Sequence, residues 1–537
     1  MSPGGACQQA WLADRAIFAT ETTGDSAARP AWPRMARSCV DPDRHDRKSR
    51  ALTECEAMMQ SNAAVFPVRH LRAWLALCLA LGASSPALAD DGDPDPTFSG
   101  DGKAWFEWPA TYLGATVFDV SARGVAVLGD GSVVTLNQFD KGTPDRFDAC
   151  AVAKFTPSGA VDTTFGSDGW ELAWFEAQPN KDDCLGIFPV AGNAMIVVGA
   201  VESMVLPYEK PALTKLRANG DLDTSFGVGG RVVISTQPFG AGAAFLFRNA
   251  IQAPDGKLLL VGSCQNCGHG SFEDFTAVRL NANGSVDTGF GNAGWVSFGR
   301  TDVDLHYLPE AATSIAVDTQ GRVILGGYSE AYDDQDHRQM PLLVRTTPNG
   351  QLDTTFGGTG YVDYDLLGSF ATSAIAIDPY NDGIILAANI TNTQSVVPGT
   401  LLLRTRRDGT SDPNFGDSGL VLLQYEEGTN ISALAIRRDR RITAAGWIDP
   451  NGADTRDFFA ARTFFNGVLD DTFDGNGINR YVFDYADGTI DEPVAMVLSG
   501  ERPVIAGPLA LPDAFPDAFA TGVLRLQSDL IFEDDFN

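Results

Sequence analysis

Histidine is scarce in this chain, with five in 537 residues, and beyond residue 90 only His269, His306 and His337 remain, far apart and in unlike surroundings. A metal centre built on imidazoles therefore has little material. The chain has no Gly-x-Ser-x-Gly elbow, no His-Glu-x-x-His, no phosphate-binding loop and no dinucleotide fingerprint. Basic residues are also few: 39 Lys and Arg face 69 Asp and Glu, for a net charge of −30. Such a surface repels phosphate backbones, so nucleic acid is not expected as a partner. Long apolar runs are missing too. The best of them, Ala73 to Ala83, is too short for a comfortable membrane span. Long helical periodicity is absent, whereas glycine is abundant at 56 residues, which points to an all-β chain.

That apolar run belongs to a targeting segment. Arg69, His70 and Arg72 precede it, and Ala87-Leu-Ala89 follows as a small-residue cleavage site ahead of Asp90. The expected organisation is an upstream leader over 1–57 from a misassigned start, with Cys7, Cys39 and Cys55, then a signal peptide over 58–89 beginning at Met58 or Met59. The protein is expected to be secreted or periplasmic after cleavage near Ala89. Cys78 lacks the preceding apolar run and small neighbour that a lipid anchor needs. The chain is expected to be a monomer.

What the sequence does have is a repeated phrase: Asp, two small or polar residues, Phe and usually Gly. It reads Asp95-Pro-Thr-Phe98, Asp162-Thr-Thr-Phe165-Gly166, Asp223-Thr-Ser-Phe226-Gly227, Asp287-Thr-Gly-Phe290-Gly291, Asp353-Thr-Thr-Phe356-Gly357, Asp412-Pro-Asn-Phe415-Gly416 and Asp470-Asp-Thr-Phe473, with an echo at Asp529-Leu-Ile-Phe532. The phenylalanines lie 58 to 67 residues apart. A period of this kind marks one supersecondary unit stacked on copies of itself. In the unit from Gly291 to Phe356 the pattern predicts strands at Trp295–Phe298, Thr313–Val317, Arg322–Gly327 and Leu342–Thr346. Hairpin pairs such as Asp130-Gly131 and Asp255-Gly256 join the second to the third, and turns such as Asn219-Gly220 and Asn349-Gly350 follow the fourth. Four strands per unit is the count of a propeller blade. Eight anchors enclose seven units, so seven four-stranded blades of about 60 residues are expected. The segment near Lys103 to Trp108 would then complete the sheet of Phe519 to Leu526. The alternatives are an open β solenoid or two smaller propellers.

These residues resemble the delta-60 repeat family, through Ala253-Pro-Asp-Gly-Lys-Leu-Leu-Leu-Val-Gly262 and Ala277-Val-Arg-Leu-Asn-Ala-Asn-Gly-Ser-Val-Asp-Thr-Gly-Phe-Gly291. The resemblance spans 90–532 and implies an exported bacterial β-propeller, with little about activity. It departs from the family at Ser99 and Asp474, which replace the closing glycine, and residues 533–537 form a short acidic tail. The blade phrases of quinone-dependent, sialidase, kelch and WD propellers are missing.

The phrase has a structural reading. The Asp of each copy (Asp162, Asp223, Asp287, Asp353, Asp412, Asp470) would fix a turn by accepting an N–H two residues on. The Phe (Phe165, Phe226, Phe290, Phe356, Phe415, Phe473) would plug a seam between sheets. Eleven residues before each of these Phe stands a cation, at Lys154, Lys215, Arg279, Arg345, Arg404 and Arg462, with Arg525 before the echo. A salt bridge repeated around the array is expected, against a ring of cations lining a channel. Cys264-Gln-Asn-Cys267 has the spacing of half a zinc site or of a redox motif, but the second Cys pair that zinc would want is absent. In an oxidising compartment disulfides are expected instead, Cys264 with Cys267 and Cys150 with Cys184, out of three connectivities. Asp91-Gly-Asp-Pro-Asp95 and Asp333-Asp-Gln-Asp336 offer oxygens to calcium, with solvated loops the simpler reading; no other cofactor is expected. No catalytic residue stands out among the acids. The expected function is a non-enzymatic binding or scaffold module. The alternative is an extracellular hydrolase or lyase acting on carbohydrate, which should gather acids, aromatics and at least one His at one mouth of the ring.

Overall fold

The computed structural model describes residues 91–528 apart from 110, 113–114, 142–146, 177–180, 203–208, 241, 269–272, 301–308, 333–336, 367, 391–398, 424–427, 450–455, 484–490 and 511–518. The leader, the signal segment, His269, His306, the Asp333–Asp336 loop, the Asp529–Phe532 echo and the tail lie outside the described residues.

Twenty-nine strands form seven antiparallel sheets, and no α-helix occurs among the described residues. The innermost strands are β3 (Ala115–Val127), β7 (Asp182–Val190), β11 (Ala244–Gln252), β15 (Glu310–Val317), β19 (Phe370–Ile377), β23 (Thr429–Ile436) and β27 (Ala495–Ser499). Each lies beside the next, and β27 lies beside β3, so the ring is closed. The fold is a seven-bladed β-propeller. In the fourth blade β15 pairs with β16 (Val323–Tyr332), β16 with β17 (His337–Thr346) and β17 with the outermost β18 (Tyr361–Asp363).

One boundary differs from the sequence reading. Trp295–Phe298 (β14) is not the first strand of its own unit but the outer strand of the preceding sheet, paired with β13 (Glu273–Leu280). The reason is the turn. The Asp-x-x-Phe phrase reverses the chain in place, so the strand after it runs antiparallel to the strand before it. The same offset closes the ring. β1 (Lys103–Glu107) follows the first copy of the phrase and has no earlier strand to pair with, so it pairs with β29 (Phe519–Arg525) and completes the seventh blade. Ring closure leaves no long sheet edge as a template for aggregation.

The core sits between the blades. The phrase phenylalanines are buried in these seams, from Phe98, Phe165, Phe290, Phe356 and Phe415 with no exposure to Phe226 at 7%. The closing glycines hold a left-handed conformation, as at Gly291 with φ +54°, where a Cβ would meet the Trp295 carbonyl oxygen at 2.1 Å. Ser99 and Asp474 adopt the same conformation at φ 54° and 48°, the departures already visible in sequence.

Every blade has two unlike ends. At one end the tight hairpins between first and second strands meet the Asp-x-x-Phe turns. At the other lie the connections between second and third strands and those leading to the next blade.

Candidate active site

At the tight-turn end, the repeated residues form one motif seven times. Each Asp accepts an N–H two residues on, for example Thr164 to Asp162 at 3.1 Å, Ser225 to Asp223 at 3.2 Å, Gly289 to Asp287 at 3.2 Å and Asn414 to Asp412 at 3.2 Å. Its other oxygen takes the cation of the same blade. The pairs are Lys154–Asp162 (3.0 Å), Lys215–Asp223 (2.9 Å), Arg279–Asp287 (2.8 Å), Arg345–Asp353 (2.9 Å), Arg404–Asp412 (3.3 Å) and Arg462–Asp470 (2.7 Å). The seventh joins the two ends of the chain, Arg525 to Asp95 at 2.8 Å.

The cations also stack on the phrase rings, at 4.3 Å for Arg279 over Phe290 and 4.6 Å for Arg525 over Phe98. Several donate onward into the next blade, as Lys154 to the Ala218 carbonyl (3.1 Å) and Arg279 to the Pro348 carbonyl (2.6 Å). Their donors are therefore spent on the seams, not offered to a channel ligand.

The cysteines and the first acidic loop are equally structural. Cys150 on β5 (Phe147–Phe155) is bonded to Cys184 on β7, linking the first two blades, and Cys264 is bonded to Cys267. Asp91 pairs with Arg437 at 2.9 Å and also with Arg462, and Asp95 pairs with Arg525. No group of three or more His, Cys, Asp or Glu suited to a metal ion occurs among the described residues.

The chemistry lies at the opposite end. Glu209 opens β9 (Glu209–Leu216), the third strand of the second blade, and Asp183 is the second residue of the inner strand β7. The sheet register puts both on the face that looks toward the third blade. There the Glu209 carboxyl stands near enough to the Asp183 carboxyl for the two to interact electrostatically. Its Oε2 also accepts the Phe247 N–H from β11 at 2.6 Å. Glu209 is buried, whereas Asp183 is exposed beside the channel.

Burial pushes the Glu209 carboxyl well above the usual range, and the neighbouring Asp183 charge adds to this, while Arg248 acts against it. Neighbouring carboxyls resist ionising together, which favours a proton on the buried one. In the adjoining seam Asp182, 1% exposed, is pushed up to about 7, first by burial and then by Glu176, Asp183 and Asp148, although it accepts the Phe175 N–H. Its Oδ1 has no hydrogen-bond partner. Carboxyl groups that hold protons near neutrality are the groups general acid catalysis needs.

None of Asp182, Asp183, Glu209 or Arg248 was singled out from the sequence. A signal existed: in the first three blades an acid stands six residues before the seam cation, at Asp148, Glu209 and Glu273. It is visible only once the blades are superposed on that cation. The His expected of an enzymatic mouth is not among these residues, and the side chain of His337 lies outside the described part of its strand.

A family model described as "Domain of unknown function (DUF5122) beta-propeller" matches residues 253–290 and 321–356. The chain carries this propeller-type repeat domain. No curated protein matches. Among solved structures, the polysaccharide lyase Uly1 is 9% identical with a TM-score of 0.43, over 78% of this chain and 93% of that one. The α-L-arabinanase of Penicillium chrysogenum is 10% identical with a TM-score of 0.38, over 70% and 95%. A mutant Trypanosoma rangeli sialidase displaying trans-sialidase activity is 12% identical with a TM-score of 0.36, over 81% and 57%. Likeness at this level speaks for the fold alone. All three are structures of enzymes named for action on carbohydrate, where the sequence led to a non-enzymatic binding or scaffold module. That expectation is corrected and set aside. What replaces it rests on the carboxyl pair at the channel mouth.

Proposed function

We propose that the protein is an exported carbohydrate-cleaving enzyme of the delta-60 repeat type, a hydrolase or lyase with Asp183 and Glu209 as its acid pair at the channel mouth. The observation that carries this reading is an exposed and a buried carboxyl set by register on one face of the blade, the buried one held by the Phe247 N–H, with Arg248 as the neighbouring cation. Breaking a glycosidic bond requires a proton on the departing oxygen. Glu209, buried and with its charged form disfavoured, stores that proton. Asp183, exposed, meets the substrate. As the proton passes by way of Asp183 to the leaving oxygen, two neighbouring carboxylates remain, and the Arg248 guanidinium offsets their repulsion. Water restores the proton after hydrolysis. In elimination, the proton taken from the sugar carbon beside the uronate does so.

The test is a panel of neutral and acidic polysaccharides incubated with the purified protein, following reducing ends and the ultraviolet absorbance of unsaturated uronates. Reducing ends alone indicate hydrolysis; both signals indicate elimination. Glu209→Gln and Asp183→Asn are each expected to cost on the order of 10²- to 10⁴-fold in rate. Wild-type rates in both variants would refute the assignment.

A further inference from the structure

On the tight-turn end two neighbouring blades, the fifth and sixth, depart from the repeat together. The residue that opens the turn after the third strand is Pro157, Ala218, Ala282 and Pro348 in the first four blades, but Arg407 in the fifth and Phe465 in the sixth. The hairpin between first and second strands is equally unusual. It carries Tyr380 in the fifth blade, between β19 and β20 (Ile384–Ile390), and Arg440 in the sixth, where the first, third and fourth blades use the short pairs Asp130-Gly131, Asp255-Gly256 and Gln320-Gly321.

The substitutions converge in space. The Arg440 guanidinium lies 5.8 Å from the Tyr380 ring centroid and 5.2 Å from that of Phe465. Tyr380 is 64% exposed and Phe465 51%, although neither is needed to make its turn. Asp378 fixes the far side of Arg440 at 2.5 Å, and the Tyr380 hydroxyl donates to the Arg438 carbonyl at 2.7 Å, so the platform is held in place.

Beside it, Arg406 and Arg407 have half-exposed side chains whose nearest carboxylates, Asp412 and Asp382, stand 3.9 and 3.7 Å away, beyond hydrogen-bond length. These two arginines form the wall common to two open surface hollows.

We infer that this platform is a binding surface for an anionic glycan, distinct from the carboxyl pair at the other end of the channel. The C–H face of a pyranose stacks on a fixed, exposed aromatic ring, and the planar guanidinium fork matches a uronate carboxylate or a sulfate ester in two-pronged fashion. A folded protein partner would need a contact of about 800 Å² per side, far more than two rings and three arginines cover. A membrane is a poor fit because the platform has no apolar run to insert. The surface extends the carbohydrate reading above but stands on separate residues, so either can fail alone.

The experiment is affinity electrophoresis of full-length protein through gels containing polygalacturonate, chondroitin sulfate, neutral dextran or poly-glutamate. Retardation by the two anionic glycans is expected, with none by dextran or poly-glutamate. Tyr380→Ala with Phe465→Ala, and Arg406→Ala with Arg407→Ala, should each weaken retardation at least tenfold without changing the thermal midpoint. Glu209→Gln should leave it intact. Retention by chondroitin sulfate alone would assign the surface to sulfate esters, and by polygalacturonate alone to uronates, and either supports the inference. Equal retention by poly-glutamate, unaltered retention in both surface variants, or loss in Glu209→Gln would overturn it.

Discussion

Arg525→Met tests how the ring is closed. Arg525 makes three contacts that no other residue can replace: Nε to Asp95 at 2.8 Å, one guanidinium nitrogen to the Thr97 hydroxyl at 2.8 Å and the other to the Pro157 carbonyl at 2.9 Å. The substitution keeps most of the side-chain volume but leaves Asp95, 3% exposed, as a buried charge without its cation. Removing one partner of a buried pair costs about 3 to 5 kcal/mol. Asp95 keeps the Thr97 N–H and hydroxyl, and Arg502 stands 3.9 Å away, so the lower figure of about 3 kcal/mol applies. Because this pair joins the first strand to the last, the loss should appear as local opening. Amide exchange over Lys103–Glu107 is expected to accelerate about 100-fold, with much smaller changes in β12 (Leu258–Gln265) and β13, measured by hydrogen exchange with mass spectrometry. The matched control, Arg279→Met, leaves Asp287 with Lys257 at 3.1 Å and should cost less and accelerate nothing in β1. The double variant Asp95→Asn with Arg525→Met should recover part of the loss, since no unpaired charge remains. Exchange in β1 within about threefold of wild type would refute the claim that this ion pair holds the ring shut.

Other consequences are open to measurement. Phe290→Ala removes a ring with no exposure from the seam between the third and fourth blades and should cost about 3 to 5 kcal/mol in urea unfolding; a loss below about 1 would show that the ring carries no packing load. Asp182 titrates at about 7 when folded against about 3.8 when unfolded, so its contribution is full below about pH 4 and is lost as the pH rises to about 7. Asp162 and Asp223, held low by the hydroxyls of Thr164 and Ser225 and by Lys154 and Lys215, act in the opposite sense: their contribution is present above about pH 4 and is lost on acidification. Asp182→Asn should therefore flatten the decline between about pH 4 and 7 by up to about 4 kcal/mol while keeping the acid limb; stability curves that run parallel to wild type would sink this. Replacing Cys150 and Cys184 by Ala should cost about 2 to 4 kcal/mol, and four thiols reactive without reductant in the unfolded chain from Asp90 onward would exclude both disulfides.

The parts of this fold that could be read from sequence are those written locally and repeated. Asp162 and Phe165 lie three residues apart, and their roles as turn and seam follow from that spacing; Lys154 lies eleven before Phe165 in the same blade, so the ion pair was legible too. The placement of Trp295–Phe298 was not, because the sequence period has the same length whichever sheet that strand joins. The acid pair was harder still. Asp183 and Glu209 belong to different strands, and the Phe247 N–H that anchors Glu209 comes from another blade. Their meeting depends on register and on the angle between blades, neither of which any stretch of the chain encodes by itself. The Arg440 platform was hidden for a related reason: Tyr380 and Phe465 look like ordinary turn variation until the fifth and sixth blades are side by side.

Pairing β1 with β29 also imposes an order in time. The first described strand to leave the ribosome is the last to find its partner, because Lys103 must wait for Leu524 to be made. Until then the seventh blade lacks its outer strand, and Phe106 and Trp108 have no seventh-blade residues to pack against. Contacts this distant in sequence form slowly. A ring closed by its first and last strands is therefore completed only after every blade has been made.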